Sequence, residues 1–87
     1  MNQVVIEGQA TTGKGRSFLL YGGGDDWSLL IFPADADEGT GVRANYHAYA
    51  SSTARELVGL CRDANDAEAP ALQKLVAGLL AAVNPTP

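Results

Sequence analysis

Gly8-Gln9-Ala10-Thr11-Thr12-Gly13-Lys14-Gly15 reproduces the glycine and lysine spacing of a phosphate-binding loop, G-x-x-x-x-G-K-[ST], directly after a β-branched run. In that chemistry backbone amides cradle the phosphate, the lysine neutralises it, and a terminal hydroxyl holds magnesium. Gly15 stands where the hydroxyl is needed. The following Ser17-Phe18-Leu19-Leu20-Tyr21 reads as a strand, so no helix N-terminus would aim at an anion. The segment therefore reads as a glycine-rich hairpin turn, with Lys14 and Arg16 as the residues for a weak anion contact.

The acidic clusters fit metal chemistry no better. Asp35-Ala36-Asp37-Glu38-Gly39 has the alternating carboxylates of a calcium loop, but its glycine falls one position early and Tyr46 occupies the bidentate glutamate position. Asp63-Ala64-Asn65-Asp66 fails at the third ligand, where Ala67 stands. His47 is the only histidine and Cys61 the only cysteine, which excludes a multi-imidazole zinc site and an internal disulfide. A Cys61–His47 nucleophilic pair requires the two to face each other. Cys61 falls on an apolar helical stripe and His47 on the polar face of a strand, so the expectation is no catalysis, no metal and no cofactor.

These residues must be positioned by a small set of elements. Strands are expected over 4–7, 16–21 and 27–32, the third apolar on both faces and hence central. A fourth, over 42–49, alternates Val42, Ala44, Tyr46 and Ala48 against Arg43, Asn45, His47 and Tyr49. The period then changes to 3.6. Thr53-Ala54-Arg55-Glu56 has the form of a capping box opening a helix whose buried stripe is Ala54, Leu57, Val58 and Cys61. Pro70 suits the first turn of a second helix. That helix, over 71–83, carries only Gln73 and Lys74 as polar side chains; Leu72, Leu75, Val76, Leu79, Leu80 and Val83 form its core stripe. Its bare side of Ala71, Gly78 and Ala82 is the expected contact in a homodimer.

The order predicts one α+β domain over 1–87: a four-stranded antiparallel meander sheet with two C-terminal helices packed on one face. A meander brings the connections at 11–15, 33–41 and 63–70 to one end. Asp35, Asp37, Glu38, Asp63, Asp66 and Glu68 would then form an acidic pole beside Lys14 and Arg16.

The chain has 87 residues, 46% hydrophobic, 18% charged, with net charge −4. That charge disfavours direct nucleic-acid or anionic-membrane binding and favours a basic protein partner. The absence of an N-terminal leader pattern and of a stretch of about 20 apolar residues gives a cytoplasmic expectation. Two surfaces are candidates for a partner: the acidic end (Asp35, Asp37, Glu38, Asp63, Asp66) and the sheet face (Arg43, Asn45, His47, Tyr49). The leading functional expectation is a non-catalytic acidic protein that occludes a basic, nucleic-acid-handling partner, as phage anti-defence, antitoxin or immunity proteins do. The alternatives are a homo-oligomeric structural subunit and a small anion- or nucleotide-binding domain using segment 8–16.

Overall fold

The computed structural model describes residues 3–34 and 44–83, with 44–48 as backbone. The chain is α+β: an antiparallel sheet with two helices on one face. Strand β1 (Val4–Gly8) pairs with β2 (Ser17–Gly23), and β2 pairs with β3 (Asp26–Phe32) across the turn Gly24-Asp25. The backbone of β4 (Ala44–Ala48) lies antiparallel to β3, giving the order β1-β2-β3-β4. Helix α1 (Ala50–Asp63) packs over β3 and β4, and α2 (Ala69–Val83) over β1 and β2. No helix among the described residues is long and apolar enough to cross a membrane.

Strand alternation determines the faces. Val4, Ile6, Gly8, Phe18, Leu20, Trp27, Leu29 and Ile31 occupy matched register positions beneath the helices. Phe18, Leu20, Trp27 and Leu29 join Leu57, Ala71, Leu72, Leu75 and Leu79 in the buried core. The buried indole of Trp27 meets its polar requirement locally: Nε1 donates to the Gly24 carbonyl at 3.1 Å.

Two glycines set how closely α2 lies on the sheet. A Cβ on Gly8 would come within 2.8 Å of the Ala71 carbonyl oxygen and 2.6 Å of Leu75 Cδ1; a Cβ on Gly78 would collide with Ile6 Cδ1. Ala71, Gly78 and Ala82 therefore belong to the side of α2 that packs inward, with β1 supplying the close neighbour at Gly78. The side expected to be bare for a second chain is used within the fold. Leu80, placed in the core stripe by the periodicity, is instead 51% exposed.

Helix α1 also differs from its expectation. It starts at Ala50, and Tyr49, in extended conformation, occupies the N-cap without a side-chain hydrogen bond. The first turn closes when the Thr53 amide donates to the Tyr49 carbonyl at 2.9 Å. Thr53 is thus one turn inside the helix, fully buried, and its hydroxyl has no hydrogen-bond partner among the described residues. The buried stripe is rotated accordingly: Ala50, Thr53, Ala54, Leu57, Leu60 and Cys61 face inward, while Val58 is 54% exposed.

Two stability changes follow. Thr53→Val removes an orphaned hydroxyl with little change of shape and should raise stability by about 1 kcal/mol. Gly8→Ala forces backbone to move from backbone and should lower it by about 1–3 kcal/mol. Urea denaturation of the two variants against the parent measures both, and opposite signs are expected.

Candidate functional site

The first candidate region is the end of the molecule where the β1–β2 turn meets the α1–α2 connection. Asp63-Ala64-Asn65-Asp66-Ala67-Glu68 contains a reciprocal cap. The Glu68 amide donates to Asn65 Oδ1 at 3.0 Å, and the Asn65 amide donates back to Glu68 Oε1 at 3.4 Å. The Leu72 amide then donates to the Glu68 carbonyl at 3.1 Å, carrying the turn into α2. The sequence signal for this cap was Asn65 followed three residues later by Glu68. It has the same form as Thr53 and Glu56, but lies in a segment read as a polar connection.

Glu68 does more than cap. Its carboxylate accepts from the Arg16 amide at 2.8 Å, from Arg16 Nε at 2.8 Å and from Arg16 Nη2 at 3.1 Å. The Arg16 guanidinium also lies 5.6 Å from the centroid of the Phe18 ring. Two further hydrogen bonds tie the same segments: Thr11 N–H to the Ala67 carbonyl at 2.9 Å, and Asn65 Nδ2 to the Lys14 carbonyl at 3.2 Å. Gly15 is buried here because a Cβ would meet those of Ala10 and Ala67, each at 2.9 Å.

This arrangement accounts for the loop-like motif without phosphate. Gly15 is required by packing, and the strand that follows is antiparallel to β1, so no helix N-terminus forms. The cation and amide that an anion would seek at Arg16 are already held by an internal carboxylate. Of the two residues named for a weak anion contact, Arg16 is held in an ion pair with Glu68, while Lys14 stays exposed. Glu68 is likewise removed from the surface charge of this end: it is 4% exposed. Asp63 and Asp66 remain exposed. Asp35, Asp37 and Glu38 lie outside the described residues.

The Arg16 guanidinium, by its hydrogen bonds, holds the Glu68 carboxyl well below the usual carboxylate range, at about 2, against the opposing effect of burial. Hydrogen bonding to Glu68 correspondingly raises Arg16, with Asp63 adding to the effect.

The second candidate region is the sheet face away from the helices. Four rows of register positions cross it: Gly23 and Asp26; Val5, Tyr21, Ser28 and His47; Glu7, Leu19, Leu30 and Asn45; Ser17 and Phe32. Leu19, Tyr21, Leu30 and Phe32 are half-buried, Ser28 is buried, and Val5 is 61% exposed. No element among the described residues covers this face. Its exposed described charges are acidic, Glu7 on β1 and Asp26 on β3, with Asp25 beside them in the hairpin turn. Of the residues expected there, Asn45 and His47 take outer-face register positions, Tyr49 is exposed just beyond β4, and Arg43 lies outside the described residues.

The register also separates the one histidine from the one cysteine. His47 aligns with Ser28 on the outer face, whereas Cys61 packs at the edge of the core on the helical side. No group of three or more potential metal ligands occurs among the described residues. Comparison with protein-family models, with curated proteins and with solved structures finds no match for this chain.

A folded-state carboxyl below its ordinary value stabilises the fold at pH above about 4.5, and this contribution fades as pH falls toward 2. Glu68→Gln should cost about 2 kcal/mol at neutral pH, allowing for the partial solvation of Arg16. The cost should vanish near pH 2, where the parent carboxyl is itself being protonated. Thermal unfolding of parent and variant across this range tests the sign: the two curves converge at low pH.

Proposed function

We propose that this chain is a non-catalytic binding module that docks on a basic protein surface through the outer face of its sheet. The observation that supports the reading is the uncovered apolar patch of Leu19, Tyr21, Leu30, Phe32 and Val5, with acidic residues at its margin. Aromatic and aliphatic side chains at the centre of a patch, with charge at the rim, are the composition of protein interfaces. In this reading β4 completes a four-stranded face on which Asn45 and His47, with Tyr49 and Arg43 beside them, add polar contacts. Asp63 and Asp66, together with Asp35, Asp37 and Glu38, contribute a negative field that speeds encounter with a positively charged partner.

A small acidic protein with this surface would act by occupancy. Its carboxylates compete for the lysines and arginines that a nucleic-acid-handling protein otherwise offers to phosphate. Inhibition by occlusion is therefore the proposed biochemical role, in the cytoplasm, without catalysis, cofactor, metal or direct nucleic-acid contact. An anion- or nucleotide-binding role for segment 8–16 is disfavoured by the engagement of Arg16 with Glu68.

Capture from the native host, identification by mass spectrometry and re-binding of the purified partner test the proposal. The expected partner carries a surplus of lysine and arginine, and its affinity falls as salt rises. Tyr21→Ala should weaken binding at least about ten-fold, the scale of a buried aromatic anchor. Asp63→Lys with Asp66→Lys should act mainly on the association rate. A purified partner that binds parent and Tyr21→Ala equally would remove the sheet face from the reading.

A further inference from the structure

Strand β1 ends the sheet: it pairs with β2 on one side and with nothing among the described residues on the other. Natural proteins usually guard such an edge with lysine, proline or a bulge, because its free N–H and C=O groups template another strand. Val4-Val5-Ile6-Glu7-Gly8 contains neither lysine nor proline, and its register with β2 is unbroken. It is rich in β-branched residues, which suit pairing. Its Val5 is the most exposed aliphatic side chain among the described residues. The helix above this edge leaves room for a second strand beside β1. Lys74, Ala77 and Ala81 recur at helical spacing on an exposed side of α2, where the lysine is the one charge.

We propose that β1 pairs antiparallel with β1 of a second copy, about a two-fold axis through Ile6, joining two sheets edge to edge. In this register Ile6 meets Ile6, Val4 meets Gly8, and Val5 meets Glu7, each pair occurring symmetrically. The charge pattern selects this centre. Moving the axis to Glu7 would oppose two carboxylates directly, and moving it to Val5 would set Glu7 and Gly8 of each copy against positions that precede β1. Centred on Ile6, all five residues pair, and neither glutamate faces the other. The interface runs along the backbone edge of the sheet and shares only Val5 and Glu7 with the face assigned to a basic partner, and the dimer would carry two such faces side by side.

The test is sedimentation equilibrium of the full chain, with Val5→Glu and Val5→Lys compared with the parent. Val5 is exposed, so both variants should keep the parent circular dichroism spectrum. Val5→Glu sets a carboxylate against Glu7 twice in the dimer and should raise the dissociation constant about ten-fold or more. Val5→Lys sets an ammonium against Glu7 twice and should leave the dimer as tight or tighter, an advantage that high salt removes. A parent that stays monomeric into the high micromolar range overturns the proposal. So does a dimer on which Glu and Lys at position 5 have the same effect.

Discussion

A single carboxylate ties together two turns that lie 52 residues apart in the chain. Glu68 is nearly inaccessible to water, and a buried carboxylate must have its charge matched and its lone pairs occupied. Arg16 meets both requirements from just before β2, through its guanidinium and its own amide, and Asn65 adds the reciprocal cap of α2. The same contact therefore orders the β1–β2 turn, starts the second helix and seats that helix over the first two strands. It also withdraws one positive and one negative side chain from the end of the molecule. What stays outside there, among the described residues, is Lys14 and Arg62 with Asp63 and Asp66, a surface of mixed charge.

The packing of α2 gives the sheet two unlike sides. On one, Gly8 and Gly78 remove the side chains that would hold helix and strand apart, and Leu72, Leu75 and Leu79 close over Leu20 and Leu29. On the other, leucines, a tyrosine and a phenylalanine alternate outward with no second layer among the described residues. Sheets of two-layer proteins commonly turn polar residues to this side. Here β2 and β3 are apolar in both directions, which is the property of the chain that argues most directly for a partner.

Alternation and punctuation made much of this legible beforehand. The β-branched and aromatic runs, separated by Gly22-Gly23-Gly24 and by the 11–15 turn, marked the antiparallel strands, and the change of period marked both helices. The outer neighbours Leu19, Tyr21, Leu30 and Phe32 follow from the same alternation. Side-chain destinations on the helices were less legible. Thr53 and Glu56 have the letters of a cap, as do Asn65 and Glu68, yet only the second pair forms one. Which forms depends on where the preceding chain turns: Tyr49 starts α1 a turn early and carries Thr53 into the core. Val58 and Leu80 belong to apolar stripes by spacing alone, but a helix on a sheet beside another helix buries only part of such a stripe.

Periodicity and turn chemistry act over a few residues, and at that range the amino-acid sequence alone determined the elements, their order and their antiparallel sense. Contacts between residues far apart in the chain were decided only when the layers closed. The pairing of Arg16 with Glu68, the glycine contacts that bring α2 onto β1, and the burial of Thr53 are all of this kind. Each depends on where a helix is seated and turned against the sheet, which the shape and volume of the facing surface set and local preference does not.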